Sequence, residues 1–239
     1  MKKLLSFWKK TRYTCGAVIV AAGISSRMQG VDKILSPLGA MPVIVHTALA
    51  FEASDCIREV VIVARKSQVE TIRGLAEQYG LRKVAAVVEG GKTRMESVQL
   101  GAKALDKKLD LIAIHDGARP MVTPELIDET VKKASVYHAA APGVPVKDTV
   151  KLVDQEGKVI ETPDRSALRA VQTPQVFERR LLKAAWKKAK KTGEEYTDDC
   201  CAMEAMGVPV YIIEGVEENL KITTPMDICL ADLIRAQRE

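Results

Sequence analysis

Short apolar runs rich in β-branched residues recur through the first half of the chain, around Val18–Val20, Arg58–Ala64, Lys83–Val88 and Leu109–Ile114, separated by stretches with helical periodicity. Such runs, bounded by turns, read as strands buried on both faces. Their alternation with helical patterns of ~10–15 residues builds βαβ units and a mainly parallel sheet. The expected fold class is α/β: a Rossmann-like, mainly parallel sheet flanked by helices. Pro42 opens the first helix, which runs to Ala53, and a second covers roughly 67–79 before Gly80. Further helices are expected from Thr93, from Thr123-Pro124 to about His138, over Glu178–Lys191, over T-D-D-C-C-A-M-E-A-M-G and after Thr224-Pro225, with a strand at Val208–Ile213.

In sheets of this kind ligands sit beyond the carboxyl ends of the strands, so each strand exit should carry chemistry. The first exit reads A-A-G-I-S-S-R-M-Q-G-V-D-K, residues 21–33. Ala21, Ala22 and Gly23 have almost no side-chain bulk, so backbone N–H groups there can approach an anion closely. Arg27 and Lys33 add two full charges, and no acid intervenes before Asp32. The third exit, E-G-G-K-T-R-M-E-S-V, places Gly90 and Gly91 before a helix capped by Thr93 that carries Arg94 and Ser97. The fourth, H-D-G-A-R-P, brings His115, Asp116 and Arg119 to one edge. Turn and cap would explain each exit alone, but three small, polar, cationic exits point to a phosphate-rich ligand.

The net charge of +5 could suggest a nucleic-acid partner, but Lys2, Lys3, Lys9, Lys10 and Arg12 supply all of it before residue 13. A nucleic-acid binder carries its basic patch on the folded body, and three Phe, two Trp and five Tyr are few for base stacking. Neither nucleic acid nor membrane is expected as a partner, since no apolar run approaches the ~20 residues of a span. The basic segment over residues 1–14 reads as a solvated tail rather than a signal peptide: its apolar stretch is too short and lysines stand where cleavage would occur. Five cysteines without paired metal spacing read as reduced thiols in a cytoplasm.

Residues 143–172 change texture, with Pro145, Gly157 and Pro163 among short alternating runs and a tip at Asp154–Gly157. This reads as a β-hairpin arm leaving the main sheet. Too small to bury a core of its own, it must pack on something, most economically a second copy of the chain, so a homodimer is expected.

The motifs A-A-G-x-x-x-R-M, Lys33, G-G-x-x-R-x-x-S-V, H-D-x-A-R-P, P-V-K-D-T, D-R, T-P-Q, T-D-D and N-L-K-I-T follow one another from about Cys15 to the C-terminus. In this order they resemble the 2-C-methyl-D-erythritol 4-phosphate cytidylyltransferases of the non-mevalonate isoprenoid pathway, which join CTP and methylerythritol phosphate and release pyrophosphate. The resemblance implies a single nucleotidyltransferase domain over residues 15–239 with a dimerisation arm at about 143–172, and no fused second enzyme after the last helix. It implies that Ala21, Ala22, Gly23, Gly91, Ser97, Gly117 and Arg119 hold the cytidine nucleotide, and that Arg27 and Lys33 stabilise the transition state. Asp116, Thr149, Arg165 and Thr197 would position the acceptor phosphate, Lys221 would lie between the two ligands, and Mg²⁺ would be held largely by the CTP phosphates, with no dedicated metal ligands in the chain. Ser25 and Ile34 depart from the family pattern, which usually has glycine and glutamine there. Ribitol-5-phosphate cytidylyltransferase, which would share the nucleotide loop, is the nearest alternative. A dehydrogenase lacks support because G-x-G-x-x-G is missing, and a non-catalytic nucleotide sensor would not require Arg27, Lys33 and Lys221 together.

The chemistry points the same way independently of the resemblance. An ionised phosphomonoester, with a second pKa of ~6, is already a nucleophile at neutral pH. The reaction then needs in-line positioning and charge neutralisation rather than a general base, which suits loop cations without a nucleophile–base pair. His115 reads as a structural hydrogen-bonder.

Overall fold

The computed structural model describes residues 13–23, 32–194 and 196–238. Arg27 and Ser25 lie outside these, as does the tail up to residue 12. In chain order the elements are β1 (Cys15–Val20), a small hairpin of β2 (Pro37–Leu38) and β3 (Met41–Pro42), α1 (Val43–Ala53), β4 (Ile57–Ala64), α2 (Val69–Gln78), β5 (Val84–Glu89), α3 (Arg94–Ala104) and β6 (Leu111–Asp116). There follow α4 (Pro124–Tyr137), β7 (Ala139–Pro145), β8 (Leu152–Val153), β9 (Val159–Glu161), β10 (Arg169–Val171), β11 (Gln175–Glu178), α5 (Arg179–Thr192), α6 (Asp199–Glu204), β12 (Tyr211–Glu214) and α7 (Pro225–Arg238).

The central sheet has the order β10-β7-β11-β6-β1-β4-β5, with β12 added to β7. β1 runs parallel to β4 and β6, β4 to β5, and β12 to β7. β11 is antiparallel to both β6 and β7, and β10 to β7. The sheet is therefore mostly parallel, as the βαβ alternation implies, with an antiparallel insertion where β11 returns between β6 and β7. The first four strands and their helices lie within a few residues of the positions read from the sequence. β7 and β11 had no such signal.

Alternate residues of the central strands face two cores. Ala17 and Ile19 of β1 pack with Ile44, Phe51 and Ile62 on one side, while Val18 packs with Val63, Val98 and Ala102 on the other. α3 lies close on that second face because of Gly101: a Cβ there would come within 2.5 Å of Val18 Cγ1 and 2.7 Å of Val63 Cγ2. Ile34 is 2% exposed in the first core, which accounts for an apolar residue at that position.

The arm is narrower than the sequence suggests. Gly143–Pro145 pair with Arg169–Val171 inside the central sheet, so the excursion proper lies between residues 146 and 168. Its hairpin, β8 with β9, is a separate two-stranded sheet. The tip is held by Asp154, whose Oδ1 accepts from the N–H groups of Glu156 (3.0 Å) and Lys158 (2.9 Å).

Candidate active site

The exits of β1, β5 and β6 meet at the carboxyl edge of the sheet. Ala21 N–H donates to Val63 O (2.7 Å), Gly117 N–H to Val20 O (2.8 Å) and Gly90 N–H to Ala64 O (2.9 Å), so the ladder continues into the loops before they part. Any anion contact by the first loop thus falls to the amides after Ala21. The loops at 21–23 and 90–93 touch: a Cβ on Gly90 would stand 2.5 Å from Ala22 Cβ and 3.0 Å from Ser97 Oγ. Only glycine fits that approach.

Behind this contact Thr93 caps α3. Its hydroxyl accepts from Glu96 N–H (3.1 Å), and the Glu96 carboxylate accepts from Lys92 N–H (2.7 Å) and Thr93 N–H (3.4 Å), closing a capping box. Ser97 is buried; its hydroxyl donates to Thr93 O (2.9 Å) and accepts from Gly91 N–H (3.1 Å). Ser97 therefore shapes the loop that walls the cleft, whose N–H groups from 90 to 93 are all taken up internally.

The cleft has a volume of about 570 Å³, and its walls include Ala21, Ala22, Gly23, Lys33, Gly91, Ser97, Asp116 and Lys221. All eight had been singled out in the sequence. Arg94, from the first turn of α3, also lines it. At the end of the first loop Asp32 is fastened to the exit of β4. One carboxylate oxygen takes Arg65 and Gln68, the other accepts from Ile34 N–H (3.0 Å), and the Asp32 carbonyl accepts from the N–H and hydroxyl of Ser36, each at 2.8 Å. Lys33 is presented from this brace.

Asp116 forms the acidic centre. Lys221 Nζ lies 2.9 Å and Arg119 Nε 3.6 Å from its Oδ2, and its side chain is 13% exposed. Burial alone would raise the carboxyl, but the Lys221 ammonium, aided by Arg119 and Arg94, holds it down at about 2. It is a carboxylate at any working pH. Arg119 Nη1 donates to Asn219 O (2.7 Å), while Asn219 Nδ2 donates to Thr173 O (2.9 Å) and Gln172 Oε1 (3.2 Å). The N-L-K motif thus supplies both the cation Lys221 and the backbone carbonyl that seats Arg119, fixed in place by the buried Asn219 amide.

His115 is fully buried, and burial lowers its imidazole to about 4. Thr173 Oγ1 accepts from Asp116 N–H (3.1 Å), which leaves its proton for His115 Nδ1 (3.0 Å). His115 Nε2–H then donates to Arg119 O (3.3 Å). The ring is a neutral strut beneath Asp116 and Arg119 rather than a base facing the cleft.

Five of the described candidates lie outside the cleft lining. Thr149 and Arg165 are exposed on the arm, where Arg165 Nη1 donates to Lys147 O (2.8 Å). Thr197 is exposed just before α6, its hydroxyl 3.6 Å from Cys201 Sγ. Gly117 and Arg119 stand immediately behind the cleft wall. Arg94 was noted only as a cation of the third exit, and sequence reasoning assigned no role to Asp32, Thr173, Asn219 or Asp199. Thr173, Asp199 and Asn219 stand inside the quoted motifs T-P-Q, T-D-D and N-L-K, but all four act through partners distant along the chain, which the sequence does not show.

A metal would meet a sparse donor set. Among the described residues no group of three His, Cys, Asp or Glu could enclose an ion, and Asp116 is the one carboxylate of the cleft lining. That suits Mg²⁺ whose remaining ligands are phosphate oxygens and water.

Known proteins resemble this chain over nearly all of its length. The IspD family model, 2-C-methyl-D-erythritol 4-phosphate cytidylyltransferase, matches residues 15–237. Proteins of that name from Caldanaerobacter subterraneus subsp. tengcongensis and Halalkalibacterium halodurans are 43% identical over 219 residues (91% of this chain, 96% of the relative) and 44% over 223 (93% and 97%). The crystal structure of 4-diphosphocytidyl-2C-methyl-D-erythritol synthase from Anaerococcus prevotii superposes with a TM-score of 0.84 at 30% identity, covering 94% of this chain and 96% of that one. The 2-C-methyl-D-erythritol 4-phosphate cytidylyltransferase of Thermus thermophilus gives 0.75 at 31%, covering 93% and 99%.

Proposed function

The chain belongs to the 2-C-methyl-D-erythritol 4-phosphate cytidylyltransferase family, and we propose the following division of labour among its residues. The protein is a nucleotidyltransferase. It joins CTP and 2-C-methyl-D-erythritol 4-phosphate, giving 4-diphosphocytidyl-2-C-methyl-D-erythritol and pyrophosphate. A phosphate oxygen of the acceptor attacks the α-phosphorus of CTP, and the bond to the bridging oxygen of the departing pyrophosphate breaks. The ionised phosphate needs no base, which fits a cleft whose nearest imidazole is buried and neutral.

The observation that carries this reading is that Lys33, Arg94 and Lys221 line one cleft with a single anchored carboxylate, Asp116, which Lys221 pairs. The loops at 21–23 and 90–93, with Ser97, Gly117 and Arg119 behind them, form the nucleotide wall and present backbone groups to cytosine. Lys33 and Arg27 neutralise charge that develops on the triphosphate. Lys221 stands between α-phosphate and acceptor, and Asp116 keeps it there. Mg²⁺ would be held by the CTP phosphates with Asp116 nearby, and when bound it supplies further neutralisation of phosphate charge.

The acceptor phosphate is gripped by Arg165, with Thr149 and Thr197. The first two lie on an arm exposing Val150, Leu152, Val153, Val159 and Ile160, and this apolar strip is covered in a homodimer whose arm reaches the partner's cleft. All five cysteines are free thiols, consistent with a cytoplasmic enzyme. No helix among the described residues is long and apolar enough to cross a membrane.

Pyrophosphate release measured with each nucleoside triphosphate and each alcohol phosphate tests the reading. CTP with methylerythritol phosphate should exceed UTP, and exceed ribitol 5-phosphate as acceptor, by at least ~10²-fold in kcat/KM, because a wrong base or alcohol leaves buried polar groups unpaired. Comparable turnover of UTP or ribitol phosphate contradicts it.

A further inference from the structure

Asp199 is the most deeply buried carboxylate near the cleft, 3% exposed, and none of the motif roles accounts for it. Three elements converge on it. Arg94 Nη1 donates to its Oδ2 from α3 at 2.6 Å, Trp186 Nε1 donates to its Oδ1 from α5 at 3.3 Å, and its own N–H donates to Gln175 Oε1 of β11 at 3.2 Å. The same Gln175 amide donates to Asp198 Oδ2 at 2.7 Å, and Asp198 Oδ1 accepts from Cys201 N–H at 2.9 Å, capping α6. The T-D-D segment is thus pinned through both acids, although α6 is only six residues long and would hold poorly alone.

The pin fastens that segment to a particular place. Arg94 opens the helix whose cap, Thr93, and whose Ser97 shape the nucleotide loop, and its guanidinium lines the cleft. Burial would lower the Arg94 guanidinium, and Asp199 behind it and Asp116 across the cleft more than offset this. Burial pushes the Asp199 carboxyl above the usual range, with Arg94 drawing it back. A buried carboxylate is a costly way to fill space, and an apolar pair would stabilise the fold as well. Its use here is geometric.

We propose that Asp199 is a positioning residue for the acceptor: through its ion pair with Arg94 it fixes the segment carrying Thr197 against the nucleotide-side helix α3. One charged contact thereby sets the spacing between the two substrates, on which in-line attack depends to well under an ångström. This rests on the cytidylyltransferase reading of the cleft.

Asp199→Asn keeps the shape and the acceptor for Trp186 while removing the charge. Steady-state kinetics with CTP and methylerythritol phosphate varied separately should show the KM for the acceptor rising about tenfold or more, and the KM for CTP less than threefold. Arg94→Lys, which keeps the cation, should fall between this variant and the wild type. If Asp199→Asn does not fold, Trp186→Phe, which removes the Nε1–H donor to Asp199 Oδ1 without touching the cleft lining, carries the test with the same expected split. Unchanged constants, or both KM values rising in proportion to a loss of melting temperature, overturn the proposal. An inactive wild type would instead overturn the reading of the cleft.

Discussion

Around the cleft Asp116 is 13% exposed and touches two cations, His115 and Ser97 are buried, and loop amides are tied to strand carbonyls. On the arm, 62% of Ile160 and 51% of Leu152 lie open, and the Arg165 guanidinium donates to Lys147 O of the same arm. Among the described residues the cleft wall draws its partners from within one chain, from the sheet, from α6 and from the segment after β4. The arm, a hairpin of two and three residues per strand, has no core to draw on and needs another surface to be ordered. On the proposed reading, the site is braced where charge develops and depends on a second surface where the acceptor is gripped.

The largest effect is expected on the rigid side. Lys221→Met should lower kcat/KM by ~10²–10³-fold, the scale of losing a preorganised charge at a reacting phosphoryl group, with the folded state retained because Lys221 is partly exposed. Near-normal kinetics in the folded variant would move the transition-state charge away from this wall.

A smaller effect concerns the strut beneath it. His115 titrates near 4 in the folded chain, below its ordinary 6.5, so the folded state binds fewer protons than the unfolded one between these values. Its contribution is fully present above pH 6.5 and is lost as pH falls to about 4, a loss of about 3 kcal/mol. Asp116, held at about 2 against 3.8, adds a further loss only below its ordinary value. Urea midpoints should drop from pH 6.5 to 4 in the wild type and much less in His115→Gln. Equal slopes would mean that His115 is not the buried neutral group described here.

The strand exits of the cleft were legible from sequence, as was the hairpin of the arm. Strand exits declare themselves through A-A-G, G-G and H-D-G because close backbone approach demands small residues at fixed places. The braces did not: Asp32 with Arg65, and Arg94 with Asp199, join residues 33 and 105 positions apart. β7, written A-A-A-P-G-V-P, has little strand propensity and is a strand because β10, β11 and β12 all pair with it. β11, four residues running against β6 and β7, gives no period long enough to read. Ile34 departs from a pattern of cleft residues yet sits in the core, a distinction set by tertiary packing.

The contrast between a self-contained wall and a borrowed arm is tested most directly by subunit mixing. Lys33→Ala disables the nucleotide wall and Arg165→Ala the arm, and each homodimer should be weak. Mixed dimers made by co-expression should regain about one working site in two, because one cleft pairs an intact wall with an intact arm from the other chain. Full activity of a wild-type monomer at assay concentration, or no recovery after verified subunit exchange, would contradict the account.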